Sequence, residues 1–308
     1  MEAPARSARE RPTSLRARLR LAGLPVALAL DGCPESFAAL ELHRERDLTE
    51  PAFSLSLRAF PGLPPKLDHV AFEQRGEALF CDGDGLRGEV AASWASLEVF
   101  GGEPALFAAL RLCCALWLAP RGGLLLHGAC VEPAPGGRAL ALLGQSGAGK
   151  STVSRRLGQG GARVISDEVT AVRISAAEPS GAAPGVPPGA AARATAPLAS
   201  ARVHGHPFPR RLGDGLAPQD GLPLAALGFL SHAPSGAGSA ARPLTPAAAA
   251  RALLARVFLP VRSPALVAAA LASCERLAEA APAFAISLSN DEGAARCVLA
   301  LPGLRGAA

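Results

Sequence analysis

LLGQSGAGKSTVSRRLGQGGARVISDEV, Leu142–Val169, is the stretch that decides the fold. Its first half fits the pattern G-x-x-x-x-G-K-[ST] from Gly144 to Ser151, with Thr152 behind it. Glycines at 144, 147 and 149 let backbone N–H groups close around phosphate oxygens. A helix starting at Lys150 would add the positive end of its dipole. The run Gly144, Gln145, Ser146, Gly147, Ala148, Gly149, Lys150, Ser151 and Thr152 therefore predicts a nucleoside triphosphate site. Lys150 would reach the β- and γ-phosphates, and the Ser151 hydroxyl would ligate Mg²⁺. A glycine turn with a chance lysine is the competing explanation. An apolar strand entering and a helix leaving argue against it.

The second half ends in Asp167-Glu168, seventeen residues beyond Lys150 and at the close of an apolar strand. VISDE has the look of a strand-end acid pair of ATPases. Transporter-type ATPases, however, place that pair far downstream of an LSGGQ-like segment, which does not occur here. A helix going out and a neighbouring strand coming back would set a carboxylate at the phosphate end. There it could hold Mg²⁺ or accept the proton of an attacking hydroxyl. A capping or salt-bridged pair is the plainer alternative, and it weighs more for Glu168 than for Asp167.

Outward from this stretch, LLLHGACVE (124–132), the turn PAPGG (133–137) and RALALL (138–143) predict a hairpin whose second strand feeds the glycine loop. EPALFAALRLCCALWLAP (103–120) reads as a buried helix, broken at Arg121-Gly122-Gly123. From 24 to about 100 the pattern is short and strand-like, with strict alternation in FSLSLRAF (53–60). CDGDG (81–85) suits a hairpin turn, since two acids without a glutamate at the twelfth position make a poor calcium loop. Downstream, 174–201 is rich in Ala, Pro, Gly and Ser and predicts a flexible loop, or a loop with one short strand inside it. HGHPFPRRL (204–212) reads as loop and LPLAALGFL (222–230) as strand. Helices are expected at about 246–257 and 264–280, then a strand at AFAISLS (283–289). The expected architecture is α/β, α+β overall. It comprises a disordered basic tail (1–20), a β-rich region with a closing helix (21–120) and a nucleotide-binding domain (121–303) with a flexible loop at 174–201.

The chain has 308 residues, 49% of them hydrophobic, and a net charge of +5 from 31 basic and 26 acidic side chains. Arginines at 6, 9, 11, 16, 18 and 20 supply much of that excess. No aromatic-plus-basic stripe accompanies them, so a nucleic-acid partner is not expected. Seven cysteines, an odd number without a CxxC, indicate neither a disulfide framework nor a zinc site, and the cytoplasm is the expected compartment. LAGLPVALAL (21–30) could pass for a signal segment, but Pro25 interrupts it and no A-x-A site follows. No membrane span is expected. The best stretch, Ala105–Ala119, is short and carries Arg111. His127 follows three leucines and by pattern alone would be a core histidine. His204 and His206 lack further metal ligands nearby, and Arg210 and Arg211 read first as a solvated basic pair.

LLLHG, a hairpin, GQSGAGKST, a short helix and VISDE follow one another in an order that resembles the C-terminal domain of HPr kinase/phosphorylase. That family is itself related to the ATP-dependent phosphoenolpyruvate carboxykinases. The later HGHPFP, LPLAALGFL and PLTPAAAARALL are similar to shorter homologues found beside peptide-modification systems, some of which phosphorylate a serine of a precursor peptide. The resemblance covers about 120–300 and is specific within 124–169. It implies a P-loop kinase core of the HPr kinase/PEP carboxykinase type with ATP and Mg²⁺. Lys150 and Ser151 would hold them, Asp167 would be the metal-linked base, and His127 would stand beside the acids. Glu168 stands where the family usually has a second Asp and would be a further metal ligand. The family's glycine-rich segment after the acids is replaced by 174–201, so neither HPr as acceptor nor the reverse phosphorolysis is expected. A protein or peptide substrate is expected, and a homo-oligomer is left open. A small-molecule kinase and a non-catalytic nucleotide-binding accessory protein are the alternatives.

Overall fold

The computed structural model describes residues 14–32, 40, 43–44, 51–62, 69–83, 85–175, 200–206, 208, 217–218, 220–261, 263–289 and 293–304. The chain divides into two compact units. One comprises Met1–Leu19 with Pro25–Ala109, and the other Arg20–Leu24 with Leu110–Ala308. Both are mixtures of sheet and helix, so the class is α+β overall, as the sequence pattern indicates.

In the first unit the strands β1 (Ser14–Leu21), β2 (Leu24–Asp31), β3 (Phe53–Phe60), β4 (Ala71–Arg75), β5 (Ala78–Gly83), β6 (Leu86–Val90) and β7 (Trp94–Phe100) form a seven-stranded sheet in the order β1-β2-β3-β7-β6-β5-β4. The alternation of FSLSLRAF is observed: Phe53, Leu55, Leu57 and Ala59 are buried and their neighbours exposed. The hairpin expected at CDGDG is observed in the pairing of β5 with β6, Gly83 opposite Leu86, while Asp84 lies outside the described residues. One expectation is corrected. Residues 14–20, expected as disordered tail, belong to β1. Ala17, Leu19 and Leu21 point inward while Arg16 and Arg18 are exposed between them, so part of the arginine run is the wet face of a strand. Residues 1–13 lie outside the described residues.

α1 (Glu103–Leu118) follows and ends in a short 3₁₀ turn, Ala119–Arg121, closed by Gly122 at φ 72°. Glu103–Arg121 is, among the described residues, one stretch long and apolar enough to cross a bilayer by length and composition. Two thirds of its most apolar window is buried within the protein, as in a core helix.

The second unit is built on β8 (Gly123–Glu132), β9 (Ala139–Leu143), β10 (Arg163–Ser166), β11 (Val169–Ser175), β12 (Ser200–His204), β13 (Leu222–His232), β14 (Ala240–Pro243) and β15 (Ala283–Leu288). Its helices are α2 (Lys150–Gln159), α3 (Pro246–Leu254), α4 (Pro264–Ala280) and α5 (Gly293–Leu299). The eight-stranded sheet runs β10-β8-β11-β12-β13-β15-β14, with β9 pairing both β8 and β13. The expected hairpin is β8–β9, paired antiparallel with Gly128 opposite Leu143. β9 is buried on both faces. Ala139, Ala141 and Leu143 join the core packed under α3 and α4, while Leu140 and Leu142 join the core under α2 and α5. That two-sided burial explains an uninterrupted apolar run, ALALL, in place of an alternating one. Each buried leucine there contributes about 1.5–3 kcal/mol relative to exposure.

Three strands and one helix are additions to the sequence reading. Val169–Ser175 and Ser200–His204 pair with one another, Ile174 opposite Ala201, so the ends of the expected loop 174–201 are sheet. Residues 176–199 lie outside the described residues. Ala240–Pro243 is an edge strand in a stretch that reads as linker, and Gly293–Leu299 is a helix with no strong local signal.

Candidate active-site cleft

Four strands deliver their ends to one edge of the second unit. β9 and β15 pair parallel with β13, while β9 and β10 both pair antiparallel with β8, so β10, β9, β13 and β15 all point the same way. Sheets of this kind bind ligands beyond the carboxyl ends of their strands. Ser166 lies opposite Cys130 and Leu143 opposite Gly128. Asp167 and Gly144 therefore leave their strands on either side of His127-Gly128. Gly128 must be glycine for a packing reason, since a Cβ there would collide with the Leu143 side chain and sit 2.9 Å from the Leu142 carbonyl oxygen.

A cleft of about 310 Å³ opens at this point. It is lined by His127, Ser146, Gly147, Gly149, Lys150, Ser151, Thr152, Asp167 and Glu168. Gly144, Gln145 and Ala148 are not in its lining. Ala148 is buried, and the other two act through their carbonyls. Gly149 adopts φ 92° to start α2, and no side chain caps that helix. The first intrahelical bond runs from Val153 N–H to Gly149 O, 2.9 Å. The N–H groups of Lys150, Ser151 and Thr152 precede that bond, the arrangement that attracts anions at helix starts.

Lys150 is buried, and its ammonium donates to Gly144 O at 2.8 Å, to Gln145 O at 2.9 Å and to His127 Nε2 at 3.2 Å. An ammonium cannot accept, so His127 Nε2 is the acceptor, and the imidazole is neutral with its proton on Nδ1. The charge balance agrees. Desolvation and then the Lys150 charge hold the His127 pKa below its ordinary value. Burial and the Arg256 charge lower that of Lys150, with Glu168 opposing. The pattern-based expectation of His127 as a core residue is corrected: the side chain is exposed and faces the cleft.

The acids differ in setting. Asp167 is 4% exposed and Glu168 is open to solvent, yet both line the cleft. The backbone fixes them: Glu168 O accepts from Gly128 N–H at 3.0 Å, and Val169 lies opposite His127. Ser151, Asp167 and Glu168 bring oxygen donors to the lining of this cleft, the donor type that suits a hard cation such as Mg²⁺, which takes few protein ligands and completes its shell with water and phosphate. Among the described residues there is no group of three or more His, Cys, Asp or Glu placed to hold a metal by themselves.

Two arginines outside the glycine-loop motif join the site. Arg256 O accepts from His127 N–H at 2.7 Å, and Phe258 N–H donates to Leu125 O at 2.8 Å, so the segment after α3 runs beside β8. Arg111 of α1 interacts with Glu168, and its guanidinium lies 5.7 and 5.8 Å from the rings of Phe208 and Phe258. The sequence carries a signal for Arg111, a lone charge in an apolar helix. It carries none for Arg256.

His204 and His206 do not enter the cleft. His206 Nε2–H donates to Val169 O at 2.7 Å and its Nδ1 accepts from Phe208 N–H, so it ties the strand after Glu168 in place. His204 is wrapped closely, since a Cβ on Gly23 or Gly221 would meet its ring at 2.7 or 2.8 Å. Burial, then Arg173, Arg202 and Arg20, push its pKa down to about 4, with Asp220 opposing. Arg210 and Arg211 lie outside the described residues. His204 yields a prediction. The unfolded chain binds its proton near the ordinary imidazole value of about 6.5 and the folded chain only near 4. The unfolded state thus holds more protons between those values, and stability is full above the window and falls as pH drops through it. That span is worth on the order of 3 kcal/mol. Urea titrations at several pH values should show the loss, and His204→Gln should flatten it. An equal slope in both proteins would refute the assignment.

A scan against protein-family models finds no match for the chain, and a search of curated proteins finds none either.

Proposed function

We propose that the protein is a Mg-ATP-dependent kinase that transfers the γ-phosphoryl group to a hydroxyl, a serine of a protein or precursor peptide. The observation that supports it best is the convergence of Lys150, Ser151 and Asp167 on one cleft. The choice of a serine acceptor comes from the resemblance of residues 124–169 to HPr kinases.

The chemistry follows from the wall residues. The triphosphate lies along the glycine loop and the start of α2, and Lys150 exchanges its carbonyl partners for phosphate oxygens. Asp167 accepts the proton of the acceptor hydroxyl as that oxygen bonds to phosphorus and the bridge to the β-phosphate breaks, leaving ADP. Neutral His127 holds Lys150 in position while adding no second positive charge beside it. Mg²⁺, when bound, supplies charge neutralisation on the phosphates, and Ser151, Asp167 and Glu168 would be its ligands here. Six cysteines among the described residues are free thiols, five of them buried, which suits a cytoplasmic protein.

Incubation with γ-labelled ATP and a panel of serine-containing precursor peptides and carrier proteins as candidate partners tests the reading. Label on a serine of one such partner supports it. Label on a metabolite would make the protein a small-molecule kinase. Tight ATP binding without transfer would make it an accessory protein.

A further inference from the structure

A second cleft, of about 600 Å³, lies beside the first. Its walls include His232 at the end of β13, Ser235 and Gly238 of the following loop, and Leu288 and Ser289 at the end of β15. We propose that this cleft receives the adenine and ribose of the nucleotide. The inference rests on reading the first cleft as a triphosphate site.

Topology gives the direction. β13 and β15 are parallel to β9 and end level with one another, His232 opposite Leu288, three residues beyond the end of β9, where Leu143 lies opposite Phe229. The acids arrive from β10, beyond β8, on the opposite side of the glycine loop. A nucleotide whose terminal phosphate faces Asp167 therefore has its other end toward β13 and β15. The linings of the two clefts also touch. His232 Nε2–H donates to Gly147 O at 2.7 Å, and a Cβ on Gly149 would lie 3.3 Å from Leu288 Cδ1. Both glycines line the first cleft.

The chemistry suits a neutral flat heterocycle. Apart from His232, no titratable side chain stands among the described residues that line it. His232 and Leu288, register partners in β13 and β15, offer the cleft an imidazole and an aliphatic side chain on which a base can pack. With its proton committed to Gly147, the His232 Nδ1 is an acceptor for an exocyclic amine or a ribose hydroxyl. The site is pre-formed. Ala233 N–H donates to Leu288 O at 2.9 Å, Ala237 N–H to Pro234 O at 3.0 Å, and Ser289 N–H to Ser239 Oγ at 2.9 Å. The small side chains of Ala233–Gly238 leave room for the ring and keep backbone groups within reach.

Two measurements on the full chain test this. Photolabelling with an azido-adenine analogue of ATP should modify the peptides carrying 232–239 or 288–289, with ATP and inorganic triphosphate both protecting. In calorimetry, His232→Ala should weaken ATP about tenfold and inorganic triphosphate by less than about twofold. ATP-protected label in other peptides, or unchanged ATP affinity in the variant, overturns the base subsite while leaving the triphosphate cleft intact. A wild-type chain that binds neither ATP nor triphosphate overturns both.

Discussion

If the protein is the proposed kinase, Asp167→Asn should lower kcat for phosphoryl transfer by about 10² to 10⁴ while ATP affinity stays within about threefold of wild type. Asp167 is 4% exposed, lines the cleft with Lys150 and Ser151, and follows a strand whose end is fixed against β8. The amide keeps the shape and loses the proton acceptor. The effect should therefore fall on the chemical step. Single-turnover transfer with labelled ATP, alongside calorimetry of ATP binding, separates the two. A variant with wild-type turnover would remove Asp167 from the chemistry, and the kinase proposal with it.

On the same proposal Lys150→Met should lower kcat/KM by about 10² to 10³, the expected cost of losing one preorganised charge donor at a transferring phosphoryl group. Inorganic triphosphate should weaken in parallel, because the proposal has the ammonium contact phosphate and not the base. This variant has a second readout that needs no turnover. The Lys150 charge is one cause of the depressed His127 pKa, so its removal should raise the His127 titration midpoint toward the ordinary value. Proton NMR of the imidazole follows that directly. Unchanged triphosphate affinity would mean that the phosphate chain lies elsewhere. An unmoved His127 midpoint would mean that the 3.2 Å contact does not persist in solution.

The parts of the site that are contiguous in the chain are legible in the order of residues alone. Gly149 at φ 92° can be read as a glycine requirement, because local backbone conformation is encoded by local residues. The same holds for the β8–β9 hairpin, where a Pro/Gly turn separates two apolar runs. Misreadings arise where one local signal suits two environments. Arginines at alternate positions of 14–21 look like a charged tail, although they are one face of a strand whose other face is buried. VTAVRIS escapes a local reading because its partners are β8 and a segment beyond residue 199.

By itself, then, the sequence determined the glycine loop, the helix behind it, the strand that feeds it and the acids at the end of the returning strand. Only the tertiary structure decided that His127 points at Lys150, that Arg256 stands beside it, and that His204 and His206 stay outside the cleft. The reason is physical. A loop's conformation depends on the φ and ψ its own residues allow, whereas convergence depends on strand register. Register is set by cores that draw on residues from Leu124 to Leu304, far apart in the chain, and a shift of one residue would turn every side chain of β8 to the opposite face.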